Sequence, residues 1–452
     1  MHPALLSEGL ENADGDWSRR RLRQFLAYAN QVYRLRALLD GVRDRRKDPV
    51  VSTALVARIV LLTGLLRIRS FNALAPRLSE PWLQRALGLA DSSEAPCSVD
   101  TVSYALKRTE VPTARAVLTN IVRQAERKKV FREGWYGALR VVALDGWEPF
   151  CSRNRHCPAC LTRQVTVGPK EKPRKVTEYY HRYVVALLLD DKLEVVLDFE
   201  PLLSADVRKE RGQKGIEGHE GEQTAAKRLV MRLRNTYGRW LDVLVVDALY
   251  ANGPFLTVAK QVGYGVVVVL KKETDEPLKE SLALWGQEPP AQCVEDADKK
   301  ERLELWDCPE LRTLATYDGP IRVVRARVHK LGPEPTEPST WCFGVTGKAT
   351  RLCAERVVRL GRGRWHIENT GFYQWTRYWR FNHVFAHGKD AIDALFCLFF
   401  AAFNLLQLFV YRHIGGYGRE RGRDTTRTFW RLADEMLGDL ERLTEPIAWD
   451  TS

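Results

Sequence analysis

Leu139-Arg140-Val141-Val142-Ala143-Leu144-Asp145 is a short, β-branched apolar run that closes on an acid. It predicts a strand, and the order of the elements after it decides the fold. A turn-rich basic stretch continues to about Thr177. Tyr179 to Asp190, rich in Tyr, Val and Leu, predicts a second strand and Leu193 to Phe199 a third. The Asp190-Asp191-Lys192 turn between them makes an antiparallel hairpin. A polar, Gly-rich loop from Ser204 to Gly221 carries Lys209, Arg211 and Lys214 and leads into a helix from Glu222 to Asn235. Leu241 to Val246 predicts a fourth strand, again ending on an acid, Asp247. A helix from Gly253 to Val262 and a fifth strand from Gly265 to Leu270 complete the run.

The order is β-β-β-α-β-α-β: three strands meander, then βα units return. It fits an α/β, ribonuclease H-like mixed sheet. In that architecture the ends of strands one and four lie side by side, so Asp145 and Asp247 meet although they are far apart in sequence.

On either side of this core the patterning changes. Residues 1–130 read as helical, with apolar residues at helical spacing over Arg19 to Leu39 and Val51 to Ile68, and with Ser98 or Asp100 as the cap of a further helix. Basic residues cluster at Arg19, Arg20, Arg21 and Arg23, at Arg43, Arg45, Arg46 and Lys47, and at Arg127, Lys128 and Lys129. Such a domain either grips DNA or serves dimerisation. Residues 139–271 form the first part of the core, and 272–347 read as a β-rich insertion, with strands over Ile321 to Val328 and Thr340 to Val345 and a Pro-rich loop at 332–338. The second part of the core, 348–413, has a helix running from Ala354 through Glu368 and an apolar helix over 391–413 expected beneath the sheet. A charged tail occupies 414–452.

Lys and Arg outnumber Asp and Glu by 70 to 57, a net charge of +13, in a chain of 452 residues with an ordinary 45% of hydrophobic residues. That balance favours a polyanionic partner, of which nucleic acid is the commonest, although a basic protein can also be merely soluble. The nine cysteines are odd in number and mostly isolated, which points to a reducing, cytoplasmic compartment rather than a disulfide framework. No signal peptide is indicated. Ala394 to Tyr411 approaches the length of a membrane span. Asp393 precedes it, and Asn404 and Gln407 interrupt it, so it predicts a buried core helix and no membrane.

Phosphodiester cleavage by paired divalent cations about 3.5–4 Å apart requires oxygen ligands from several elements. Asp145 in Leu-Asp-Gly-Trp147, Asp247 in Val-Asp-Ala-Leu-Tyr250 and Glu368 in Arg364-Trp-His-Ile-Glu368 supply them in a suitable order. Arg364 and Glu368 are four apart and share one helix face, from which Arg364 reaches a phosphate. Each acid alone has a bland reading, since strands often end on Asp where turns begin and an Arg–Glu pair at this spacing is often only a surface ion pair.

The chain resembles the DDE transposases of bacterial insertion sequences over roughly residues 50 to 410. The resemblance is carried by Leu-Asp-Gly-Trp at 144–147, Val-Val-Asp-Ala-Leu-Tyr at 245–250 and Gly-Arg-Trp-His-Ile-Glu-Asn at 363–369, with His383-Val-Phe-Ala-His-Gly388 in support. It implies a ribonuclease H-like core with a β-rich insertion between the second Asp and the Glu. It also implies Asp145, Asp247 and Glu368 as catalytic ligands of Mg²⁺ or Mn²⁺, and Arg364 as a contact to DNA ends. The activity implied is cleavage of double-stranded DNA at element ends and strand transfer into a target, by a homodimer, in the bacterial cytoplasm and on the nucleoid. A catalytically silent DNA-binding derivative, or a metal-dependent nuclease without strand transfer, would share the fold. The sequence departs from the family's Tyr-x₂-Arg-x₃-Glu-x₆-Lys motif: Gly361 stands at the Tyr position and Trp375 at the Lys position. Trp375 either stacks on a base or belongs to the core. Arg377 and Arg380, in the aromatic and basic stretch Phe372 to Phe381, are further DNA-binding candidates.

Cys151-x₅-Cys157-x₂-Cys160 falls between the first two expected strands. A Cys-x₂-Cys knuckle is a common half of a structural zinc site. Cys151, His181 and His156 are candidates for the remaining ligands, and the alternative is three free thiols. His383 and His387 read as structural hydrogen-bonders.

Overall fold

A computed structural model describes residues 21–131, 139–170, 172–189, 193–213, 218–271, 275–297, 299–332 and 337–414, together with 432, 434–439, 443–447 and 449 of the C-terminal tail. Arg19, Arg20, Lys214, the Asp190-Asp191-Lys192 turn and most of the charged tail lie outside the described residues. The chain divides into two compact units. One comprises residues 1–130, 149–159 and 373–452, the other 131–148 and 160–372.

The strands in chain order are β1 (Val141–Trp147), β2 (Cys151–Ser152), β3 (Leu161–Val167), β4 (Arg174–Tyr180), β5 (Tyr183–Leu189), β6 (Glu194–Pro201), β7 (Val243–Val246), β8 (Gly265–Leu270), β9 (Gln292–Asp296), β10 (Glu301–Leu311), β11 (Ile321–Lys330) and β12 (Ser339–Thr346). The second unit is built on one nine-stranded sheet of order β6-β5-β1-β7-β8-β12-β11-β10-β9. Its first five strands have the ribonuclease H-like arrangement. β6, β5 and β1 are antiparallel neighbours, and β7 and β8 run parallel to β1. The central strands need burial on both faces, and their sequences provide it: Tyr-Val-Val-Ala-Leu-Leu-Leu in β5, Val-Leu-Val-Val in β7 and Gly-Val-Val-Val-Val-Leu in β8 are buried throughout. The helix Glu222–Tyr237 packs against β5 and β6. Its arginines fasten it there: Arg232 Nε donates to Asp198 Oδ2 at 2.6 Å and Arg228 Nε to Glu200 Oε1 at 2.7 Å.

The expected β-rich insertion does not form a separate sheet. β12 pairs antiparallel with β8, from Cys342↔Leu270 to Thr346↔Val266, so β9 to β12 extend the same sheet. The outermost strand, β9, is short and charged, which blunts the edge against pairing with other chains. Two further strand pairs were not expected. β3 and β4 form a hairpin in the stretch read as basic and turn-rich. β10 contains Pro309, which argues against a strand. The structure accommodates it at a bulge between Cys308 and Leu311, where Glu310 takes a left-handed φ of 60°.

In the first unit the helix Lys389–Phe409 is buried along almost its whole length. The helices Thr53–Leu65, Val99–Leu106, Val111–Arg127 and Arg21–Tyr33 pack against it. Among the described residues one stretch, Lys389–Arg412, is long and apolar enough to cross a membrane, and 94% of its apolar window is buried inside the structure. The sequence placed this helix beneath the sheet; it is the central helix of the helical unit. Gly64 lets the helix Thr53–Leu65 approach it closely, since a Cβ there would lie 2.7 Å from the Phe399 ring. Ser98 is the cap of the Val99–Leu106 helix, accepting from Thr101 N at 3.1 Å.

Candidate active site

β1 carries Asp145 beyond the point where its pairing with β7 stops, at Ala143↔Val245. On its other edge, pairing with β5 continues to Trp147↔Tyr183, so the strand passes Asp145 rather than ending on it. β7 ends at Val246, and Asp247 caps the 3₁₀ turn Ala248–Tyr250, its Oδ1 accepting from Leu249 N at 3.0 Å. The two aspartates are thus carried past the paired ends of adjacent parallel strands. Glu368 sits on a π-helical turn, Ile367–Phe372, which follows the helix Ala354–Gly363. The expected single helix is therefore broken just before the acid, a feature that recurs at functional sites. Phe372 at the end of that turn stacks on Trp147 of β1, with ring centroids 6.4 Å apart.

Arg364 links the third acid to the first. Its Nη1 donates to Asp145 Oδ2 at 2.6 Å and to Glu368 Oε1 at 2.7 Å. The guanidinium is 5% exposed and its Nε is buried without a hydrogen-bond partner among the described residues. Burial pushes the Asp145 carboxyl up to about 7. Arg364 and the Gly146 N–H pull it down, while the nearby Glu368 and Asp247 push it further up. Three carboxylates within electrostatic reach of one another, all with hard oxygen donors, fit Mg²⁺ or Mn²⁺.

A fourth carboxylate beside this set was missed in the sequence. Glu222 opens the helix Glu222–Tyr237 and is buried. It accepts from Tyr250 Oη at 2.8 Å and pairs with Arg182 Nη2 at 2.7 Å. Gly146, next to Asp145, leaves room for this pair: a Cβ there would lie 2.1 Å from Glu222 Oε2 and 2.8 Å from Arg182 Nη2. The Tyr250 phenol is raised well above its ordinary range, by burial first and then by Glu222, Asp145 and Asp247. Tyr250 belonged to the quoted Asp-Ala-Leu-Tyr motif, whereas Glu222 stood out only as a helix start.

Residues 212–405 match a family model, that of the transposase DDE domain. Over these residues the chain is similar to a transposase DDE domain. The matched span contains Asp247, Arg364 and Glu368; Asp145 precedes it and is hydrogen-bonded to Arg364. No curated protein is significantly similar to the chain.

The remaining sequence candidates fall in different surroundings. Trp375 is fully buried against Phe400 and Phe403, with centroids 4.8 and 5.9 Å away. Its base-stacking role is set aside for the core role, because an enclosed ring has no free face. Arg377 and Arg380 are exposed, in the helical unit. In the sheet unit, Cys160 Sγ lies 3.3 Å from His181 Nε2, both buried. In the helical unit, ligand atoms of Cys157 and His387 lie within 4.8 Å of each other. Cys151 is exposed. His383 packs edge-on against Phe385 at 5.2 Å, and burial lowers its pKa.

Proposed function

We propose that the DDE domain is catalytically competent, cutting double-stranded DNA at element ends and joining the freed 3′ ends to target DNA. The observation that carries this reading is the Arg364 guanidinium held between Asp145 Oδ2 and Glu368 Oε1. A buried cation at the junction of these two acids supports a site built to concentrate positive charge on oxygen ligands.

Asp145, Asp247 and Glu368 would hold the divalent ions. Bound there, two such ions would activate the attacking water or 3′-hydroxyl and stabilise the leaving oxygen. Arg364 keeps Asp145 and Glu368 in one arrangement and is proposed as a contact to the DNA end. Glu222 and Tyr250 support the Asp145 end of β1 and help exclude water from it. Two copies of the chain acting together would hold the two element ends. Cys160 and His181 are proposed as ligands of a structural zinc ion. The support for it is the Cys-x₂-Cys spacing and the Cys160–His181 contact.

The test uses a plasmid carrying the DNA that flanks the gene, incubated with Mg²⁺ and wild type, Asp145→Asn or Glu368→Gln. Excision or joined ends with wild type, and DNA binding without cutting by both variants, supports the three-carboxylate reading. Cutting by either variant at the wild-type rate overturns it. Cutting by wild type without joined products leaves a nuclease.

A further inference from the structure

The helical unit contains a cleft of about 690 Å³ whose lining is dominated by arginine. Arg67 and Arg69 come from the turn after the helix Thr53–Leu65, Arg77 from the 3₁₀ segment Ala75–Ser79, and Arg377 and Arg380 from the short helix Tyr373–Arg377 and the turn beyond it. These are three separate stretches of sequence, and only the fold brings them together. Among the described residues the lining sets one carboxylate, Asp434, against five guanidinium groups. Among the described residues, Arg69, Arg77, Arg377 and Arg380 enter no ion pair. Arg67 lies over the Trp379 ring, 5.3 Å from its centroid, which fixes the floor of the cleft. Burial lowers its pKa to about 10, so it is still charged at neutral pH.

Like charges gathered at this density repel one another unless an anion lies among them. Arginine is a poor choice for a cleft that only needs solubility. Its planar fork matches phosphate oxygens two at a time, and it is weakly hydrated. Among the described residues the polar lining is dominated by guanidinium groups, whose forks match the phosphate oxygens of a repeating backbone. Tyr373, half exposed at the rim, adds a flat ring.

We propose that this arginine cleft is a second DNA contact of the chain, holding the phosphodiester backbone of duplex DNA without regard to sequence. The proposal rests on the transposase reading for the identity of the polyanion. It gives Arg67, Arg69 and Arg77, which no motif singled out, the same role as Arg377 and Arg380.

Full-length protein is titrated into a fluorescein-labelled duplex of arbitrary sequence, without added divalent ions, at several salt concentrations. Three forms are compared: wild type, the triple variant Arg69→Gln, Arg377→Gln, Arg380→Gln, and the matching triple Lys variant. All three positions are exposed, so the fold tolerates the changes. Each lost phosphate contact lowers the slope of log K against log salt by about 0.9. The Gln variant is expected to lose between two and three units of slope and at least about ten-fold in affinity near 0.1 M salt. The Lys variant keeps the charge and is expected to stay within about three-fold of wild type. An unchanged slope and affinity in the Gln variant overturns the cleft, and so does an equal loss in the Lys variant. If the Gln variant binds as wild type does and wild type still cuts element ends with Mg²⁺, the cleft alone has failed. If wild type binds no duplex at low salt, the transposase reading fails with it.

Discussion

Arg364 Nη1 sits 2.6 Å from Asp145 Oδ2 and 2.7 Å from Glu368 Oε1, a single nitrogen shared by two acids from separate elements. Its side chain is almost wholly buried, and Glu368 is half exposed. Replacing Arg364 by Met removes the countercharge and leaves the carboxylates facing one another. The expected cost without divalent ions is on the order of 2–3 kcal/mol, toward the lower end for a broken buried pair because Glu368 is exposed. Divalent ions bind the folded site and not the unfolded chain, so Ca²⁺ should recover the loss. Thermal melts with and without Ca²⁺ check this: the variant should melt lower than wild type in chelator and gain more from Ca²⁺. A variant whose melt is insensitive to Ca²⁺ would contradict the assignment of these acids as ligands.

Gly361, at the position where related transposases carry Tyr, faces the Phe343 ring of β12. A Cβ at Gly361 would lie 2.2 Å from Phe343 Cε1, and that ring is fully buried. The helix Ala354–Gly363 thus packs onto the sheet at a distance that only glycine permits. Gly361→Ala should cost about 1–3 kcal/mol through overpacking. For a unit of this size that is a melting temperature lower by several degrees. Combining it with Phe343→Leu should recover part of the loss, and a double-mutant cycle measures the coupling. If the two losses add instead, the contact is not the reason for the glycine.

The departure at position 361 was visible in the sequence, but its cause was not, because it lies in a residue across the sheet. The core strands were legible for the opposite reason. Continuous valine runs such as Val243–Val246 and Gly265–Leu270 leave few other structures to adopt, and their order fixed where Asp145 and Asp247 would meet. The β3–β4 hairpin was obscured by Arg163, Lys175 and Glu178 on strands only partly buried. β10 was obscured by Pro309, whose bulge is defined by its partner strand. Glu222 gave no local sign of its place beside Asp145, since Arg182 and Tyr250 reach it from other elements. Trp375 read equally well as a surface or core ring until Phe400 and Phe403 enclosed it.

Zinc content offers a test that does not depend on DNA. Protein purified without chelator should contain about one zinc ion per chain by elemental analysis, the stoichiometry of a structural site. Cys160→Ser and His181→Ala, which break the 3.3 Å pair, should each abolish retention. Cys151→Ser should retain the metal, because that thiol is exposed. Metal-free wild type would sink the zinc proposal without touching the three acids.

His219 gives the sheet unit a pH dependence of defined sign. Its Nδ1 lies 3.1 Å from Ala205 N, at the start of the helix Ala205–Glu210. Its Nε2 lies 2.9 Å from both Thr162 N and Thr162 Oγ1, so the neutral ring, which has one acceptor nitrogen, serves one of two backbone N–H groups, that of Ala205 or that of Thr162. Burial lowers the His219 pKa below its ordinary value, Arg208 lowers it further, and Asp206 opposes them. Protonation turns both ring nitrogens into donors and removes the acceptor for either N–H group. Because the folded pKa is below the unfolded value of about 6.5, the contribution is complete above that value. It is lost as pH falls through the folded pKa. His219→Asn keeps an acceptor near the Nδ1 position but does not titrate. Melting temperatures of the two proteins from pH 8 to pH 5 isolate the effect, since all other groups titrate in both. Wild type should lose stability relative to the variant only in the acidic part of that range. A difference that stays constant, or that opens above pH 7, would mean that His219 does not work through its neutral ring.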